Sequence, residues 1–463
     1  MSTQSRQPPA VFTEGPILRH VLIMTATGSI GLVAIFVVDF LSLLYVSWLN
    51  NPAFTAGVGY ATQILFFGTS LNIGLSIAVS ALVARALGAG NRERARELVS
   101  SGLILTFVIS LIVSVLGFIW RGELISLLGA RDLAHDVASE FLAFTLPANV
   151  LLGIGMTFSG VLRAVGDARR AMYVTLFGAV MTAVADPILI FGFGLGYKGA
   201  AISTIFSRLM FVIVGLWGAA TKHDLVRTPH AQKVWGDIMP LAVIAVPAIL
   251  TNIATPVANS YAMAVFSQFG AEVVAAFSII DRVAPVAFGV LFALSSAVGP
   301  IIGQNYGAQL MGRVRRTLSD CFLTCAVYVL SVWLILWLMA PLVVRIFNAH
   351  GETQTLVEFF CTWGAAAWMF LGALFVANAA FNNLGFAMFS TMFNWGRATL
   401  GTIPFVTLGA HYWGPEGGLV GMLLGAAVFG MAAIITSFYM TKRIEVRFLQ
   451  SQSQMQSKER MAS

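Results

Sequence analysis

Charge is scarce in this chain. Only 10% of its 463 residues are Asp, Glu, Lys or Arg, against 58% that are hydrophobic. An ordinary soluble domain carries roughly 25% charged residues, so a water-exposed surface of this size is excluded and an integral membrane protein is indicated. Cysteine is scarcer still: Cys321, Cys325 and Cys361 lie in apolar runs with no His or acid at metal-ligand spacing. That argues against a disulfide framework and a zinc site, and leaves three small buried hydrophobes. GxxxxGK[ST], HExxH and a plausible GxSxG elbow are missing, as is any soluble stretch able to hold ATP machinery, which disfavours a primary pump or a membrane enzyme. No signal peptide is expected, because the first sixteen residues are polar, lack a small-residue cleavage site and lead into a run long enough to span.

Against that apolar background one acid stands out. Within LVAIFVVDFLSLLYVSWL, Asp39 is the only charge between Val21 and Asn50. An ionised carboxylate is expensive in a bilayer core, so such residues face a protein interior or a water cavity and mark ion or substrate paths.

Apolar segments of spanning length number twelve, at about 17–49, 54–84, 98–120, 134–162, 171–194, 199–220, 238–266, 272–302, 317–344, 356–381, 387–411 and 417–441. An even count puts both termini on one side. The loops on that side hold twenty of the 27 basic residues, including Arg92, Arg94, Arg96, Arg313, Arg315 and Arg316. Four lie on the other side, Arg121, Arg131, Lys198 and Arg345, while Arg208, Arg282 and Arg397 fall inside helices. The positive-inside rule then expects both termini in the cytoplasm. The net charge of +7 is thus spent mostly in short loops and does not indicate a nucleic-acid partner.

The chain also repeats itself. ARALGAGNRERAR at 84–96 matches GQNYGAQLMGRVR at 303–315, pairing Gly88 with Gly307, Arg94 with Arg313 and Arg96 with Arg315 at an offset of 219. The same offset pairs Gly166 of LRAVGDARRAM with Gly385 of FNNLGFAMFST, and YKGAA meets PEGGL at about 218. Six helices per half, an even number, make this a parallel repeat about an axis along the membrane normal, an architecture of secondary transporters. The expected organisation is a cytoplasmic tail 1–16, an N-lobe 17–220, a polar cytoplasmic linker 221–237, a C-lobe 238–441 and a cytoplasmic tail 442–463.

At these residues the chain resembles the multidrug and toxic-compound extrusion (MATE) transporters. TEGPILRH, ALGAGNRERAR, VLRAVGDARRAM, DPILIFGFGLGYKGAAIST and GQNYGA occur in the family's order. The resemblance implies export of cationic, amphiphilic or polyaromatic compounds, driven by an inward H+ or Na+ gradient through alternating access. Helices seven and ten carry no mid-membrane acid, so the DNA-damage-inducible (DinF-like) branch, with its coupling acids in the N-lobe, is the nearer likeness. By that resemblance Asp39 falls on the first-helix acid, Asp186 on the fifth-helix acid and Thr204 on the sixth-helix hydroxyl. Thr182 stands where the pattern has Asn, which weakens an Na+ cage, and Met24 where it has proline, leaving Gly28 and Gly31 as candidate flexible points of helix one.

Counted inward from the outer helix ends at about 1.5 Å per residue, Asp39, Asp186, Arg208 and Asp281 share a layer roughly 13–18 Å deep. Arg208 is positioned either to join a coupling network or to neutralise Asp186 as a static pair. Thr182 and Thr204, each one turn before a charge, are placed to join the cluster or to bond their own backbone. Asp281 and Arg282 point about 100° apart and are read as a C-lobe cation or substrate site, or as charges paired across the lobe. Arg397 is read as structural.

The expectation is therefore an all-α integral membrane protein of twelve transmembrane helices in two six-helix lobes, a monomeric multidrug antiporter in a bacterial inner membrane. Its partners are small organic cations or amphiphiles and the lipid bilayer. It needs no cofactor or metal beyond H+ or Na+ as coupling ion. The alternative is a flippase for a lipid-linked precursor.

Overall fold

A computed structural model describes residues 10–49, 51–228 and 231–462, so the start of the N-terminal tail and two positions of the linker lie outside the described residues. The fold is all-α. In chain order the spans are α1 (Ile17–Ser47), α2 (Pro52–Gly88), α3 (Arg92–Ile119), α4 (Asp132–Val165), α5 (Ala168–Pro187), α6 (Tyr197–Leu216) and α7 (Ala231–Phe266). Then come α8 (Ala271–Phe288 and Val290–Gly307, bent by 46°), α9 (Met311–Ile346) and α10 (Trp368–Leu384). Last are α11, which begins as Ala387–Gly396 and the π-turn Arg397–Gly401, and α12. α11 and α12 meet within Ile403–Ala462, where Trp413 and Gly414 leave helical geometry. Among the described residues ten helices are singly long and apolar enough to cross a bilayer, the bent pair adds one, and the break at Trp413–Gly414 divides the last into two, giving twelve.

The distribution of side chains is that of a chain solvated by lipid. Phe40, Phe67, Ile112, Leu323, Leu338 and Ile435 are exposed, while Asn72, Asn149, Asp186 and Arg208 are buried.

The repeat is written in the backbone. Residues of positive φ recur in pairs at the sequence offsets: Gly90 with Gln309, Gly129 with Asn348, Asp132 with Gly351 and Gly166 with Gly385 at 219, and Gly196 with Gly414 at 218. Side-chain bonds repeat too. Ser76 Oγ donates to the Met156 carbonyl at 2.8 Å, and Ser295 Oγ donates to that of Phe375 at 3.0 Å. Identical offsets in turns and buried bonds show that each half builds the same six-helix pattern, although few residues are shared between them.

By contacts the chain forms two compact units. One comprises Ala26–Ala86 and Asn91–Ile253; the other comprises Ala254–Ser463, Leu87–Gly90 and the residues up to Thr25. The chain passes from one to the other inside α1, at the end of α2 and in the turn that follows it, and inside α7. In the first unit Asn72 donates to both the carbonyl and side-chain oxygens of Asn149 on α4 and accepts from Ser110 on α3 at 2.7 Å. The network joins α2, α3 and α4 through buried side-chain hydrogen bonds.

The linker folds onto the first turns of α3 within the same unit. Arg94 pairs with Asp237, Arg96 with Asp224, and Lys233 with Glu97 at 3.1 Å. Ser100 Oγ donates to the Arg227 carbonyl and accepts from its amide. These arginines, which topology and lipid contact alone would have explained, are committed to protein. Asp167, in the loop between α4 and α5, caps α5 through the Arg170 amide and binds the Arg170 guanidinium and His223. Partial burial works to raise its pKa, but these donors outweigh it and hold the carboxyl at about 2. A carboxyl depressed in the folded state stabilises above its unfolded pKa near 3.8 and loses that contribution as pH falls through about 2. Asp167→Asn should accordingly cost about 1–2 kcal/mol at neutral pH, after allowance for solvent screening. Paired thermal melts at pH 7 and pH 2.5 check this: the gap should narrow on acidification into the window between 3.8 and about 2, and a gap that stays or widens contradicts it.

In the other unit α11 and α12 meet backbone to backbone. Gly417, Gly421 and Gly425 lie one turn apart on α12, and a Cβ added to Gly425 would fall 1.8 Å from the Gly401 carbonyl oxygen. One on Gly421 would fall 2.1 Å from that of Phe405. Small residues permit such close approach where lipid supplies no hydrophobic drive between helices. Gly425→Val should destabilise by about 1–3 kcal/mol or more, because rigid backbone must give way. An unchanged melting temperature would show that the seam parts freely.

Candidate functional site

Asp39, Thr182, Asp186, Thr204 and Arg208 all belong to the first compact unit; Asp281 and Arg282 belong to the second. Asp186 is the last residue before Pro187, whose missing N–H ends regular α-geometry and opens the π-turn Ile188–Gly192. Its side chain is 1% exposed. Ser42 Oγ donates to Asp186 Oδ2. Ser203 lies near the same carboxylate without a bond of normal geometry, and Oδ1 is buried with no hydrogen-bond partner.

Asp39 sits three residues before Ser42, hence on the same face of α1. It is accessible although densely surrounded by protein, and none of the hydrogen bonds described involves it. A carboxylate in a spanning helix is costly against hydrocarbon, so such residues face a protein interior or a water-filled cavity. Arg208, buried on α6, donates from Nη1 to the Thr145 carbonyl of α4 at 2.8 Å and lies within electrostatic range of Asp39. Asp186 is also within range of Asp39. Two carboxylates and one guanidinium therefore form one cluster across α1, α5 and α6, with Asp39 as its open member.

Two alternatives that the sequence leaves open are separated here. Arg208 does not pair with Asp186: its charge acts on Asp39, and no ion pair of contact distance forms between Arg208 and either acid among the described residues. Thr182 and Thr204 do not reach the carboxylates. Thr182 Oγ1 donates to the Gly178 carbonyl at 3.3 Å and Thr204 Oγ1 to that of Ala200 at 3.0 Å, because a helical threonine finds its i−4 carbonyl before any distant partner. Ser42 was missed by sequence reading, although its spacing from Asp39 would have shown it.

In the second unit Asp281 is exposed and accepts from Asn259 Nδ2 at 3.1 Å, while Arg282 is exposed with no ion pair among the described residues. Asp281 therefore neutralises no buried arginine, and the static pairing across the lobe is not formed. Arg397, by contrast, is buried, and its Nη2 donates to Thr255 Oγ1 at 2.9 Å. Among the described residues no group of three or more His, Cys, Asp or Glu is arranged to hold a metal ion.

Comparison with known proteins bears on the family and the fold. The MatE family model matches residues 29–188 and again 247–408, one copy in each half of the repeat. The chain is 28% identical over 435 residues to a protein named FAD transporter of Shewanella oneidensis, covering 93% of this chain and 95% of that one. It is 23% identical over 417 residues to the probable multidrug resistance protein YpnP of Bacillus subtilis, covering 89% and 93% respectively. The crystal structure of the Vibrio cholerae MATE transporter VcmN in its bent form superposes with a TM-score of 0.87 at 21% identity, covering 92% of this chain and 97% of that chain. With both halves matched, the chain belongs to the MatE family of membrane transporters.

Proposed function

We propose that the chain is a secondary antiporter that exports small organic compounds in exchange for H+ or Na+, with Asp39 as the coupling carboxylate. The observation that carries this reading is an accessible Asp39 inside a spanning helix, within electrostatic range of the Arg208 guanidinium and the buried Asp186. A cation arriving at Asp39 cancels its attraction to Arg208, which stays fastened to α4 through Thr145. The same helical face carries Ser42, so a shift of α1 on neutralisation is transmitted to Asp186 and the break at Pro187. Thr182 and Thr204 then shape the walls rather than bind the ion. The driving force suffices: about 2.3 kcal/mol per charge per 100 mV and about 1.36 kcal/mol per pH unit, either enough for a tenfold or greater cargo gradient.

Cationic or amphiphilic compounds are the cargo this reading favours, in line with relatives named as multidrug resistance proteins. An anionic flavin dinucleotide is a second reading, favoured by the FAD transporter likeness over nearly the whole chain. The sequence likeness to the DinF-like branch fits a coupling site in the first unit. The basic loops favour both termini in the cytoplasm of a bacterial inner membrane. Dye efflux from cells, followed with Na+ present or absent and with a protonophore, tests the proposal. Efflux that ignores both treatments removes it.

A further inference from the structure

Two arginines are buried among the described residues, Arg208 and Arg397. Arg208 has the Asp39 carboxylate in its field. Arg397 has none: it is 3% exposed, forms no ion pair among the described residues, and its single side-chain hydrogen bond goes to the neutral hydroxyl of Thr255. Its Nε is buried without any partner. Its chain neighbour Ala398 and Thr255's neighbour Ala254 are fully buried and, with Ala258, pack against Trp395. Asn259, one turn beyond Thr255 on α7, is bonded to Asp281 of α8.

A guanidinium stays charged in any protein environment. A buried charge of this kind, without its counter-charge, is a standing cost to the fold. It persists where function needs it. Arg397 also opens the π-turn Arg397–Gly401, a geometry that recurs at functional sites, and the Thr402 hydroxyl bonds back to its carbonyl at 2.9 Å. The unused donors of a guanidinium fork match the oxygens of a phosphate or diphosphate.

We propose that Arg397, with Thr255, is an anion-recognition site of the second unit that receives the phosphate or diphosphate ester of an organic cargo. This rests on the transporter reading above. The same chemistry is offered by a water-soluble dinucleotide and by a phospholipid head group, and the test separates them.

The test is thermal unfolding of purified full-length protein and of Arg397→Met and Arg397→Lys, in phosphatidylcholine nanodiscs with added FAD or inorganic pyrophosphate, and in phosphatidylglycerol nanodiscs without them. Removing an uncompensated charge should raise the melting temperature of ligand-free Arg397→Met above wild type. FAD and pyrophosphate should raise that of wild type, with at least tenfold weaker apparent binding in Arg397→Met and an intermediate value in Arg397→Lys. A shift in wild type with phosphatidylglycerol but not with FAD or pyrophosphate assigns the phosphate to lipid. The proposal is overturned if Arg397→Met is destabilised without ligand, if it responds to FAD, pyrophosphate and phosphatidylglycerol as wild type does, or if wild type responds to none of them. Gradient-driven dye efflux by wild-type liposomes is measured beside it. Its absence removes the antiporter itself, whereas its presence with an indifferent Arg397 removes only this site.

Discussion

Asp39→Asn is expected to reduce gradient-driven efflux to background while the protein still folds and inserts. Asparagine keeps the shape of a neutral carboxyl but cannot exchange a cation, so the cluster is frozen in one of its two charge states. Folding should survive because none of the hydrogen bonds described involves Asp39, and because Arg208 keeps its bond to the Thr145 carbonyl. Cargo binding should survive as well, since coupling and binding are separate requirements of an antiporter. Equal membrane expression, a monodisperse purified protein and abolished efflux together would bear this out. Asp281→Asn provides the contrast. Its carboxylate is exposed and bonded to Asn259, so the substitution should leave both expression and ion coupling close to wild type.

The second large effect concerns Arg208. Arg208→Gln should abolish coupled efflux and also destabilise, because it removes the cation facing Asp39 and the charged donor to Thr145. If the two residues act on one another, combining Arg208→Gln with Asp39→Asn should cost less than the sum of the single changes. Interacting residues typically show about 0.5–3 kcal/mol of such coupling. Melting temperatures of the four proteins measure it directly. Strict additivity would mean that Arg208 is held for the sake of α4 alone.

Much of this was legible in the sequence for reasons that can be named. A charge in a spanning run is costly wherever it sits, so Asp39, Asp186 and Arg208 stood out without any knowledge of packing. The repeat was legible because turns demand particular residues, and Gly166 and Gly385 fill the same left-handed cap. Who pairs with whom was not legible. Helical spacing placed Arg208 beside Asp186 and Thr182 near it, but the rotation of α6 decides which carboxylate the guanidinium meets. The i−4 carbonyl decides where the threonine hydroxyl goes. Arg397 was read as structural because nothing in a sequence reports the absence of a counter-charge. The linker's bonds to Arg94 and Arg96 were invisible for a related reason: a basic loop looks the same whether its charges meet lipid, water or protein.

The central claim is that an ion gradient drives cargo through Asp39. Its most direct measurement uses proteoliposomes of wild type and Asp39→Asn loaded with a fluorescent organic cation, with a pH gradient, a Na+ gradient or neither imposed across the membrane. The account predicts uphill efflux by wild type under at least one gradient, none without a gradient, and none by Asp39→Asn under any condition. Equal efflux by wild type with and without gradients, or gradient-driven efflux by Asp39→Asn, would contradict it.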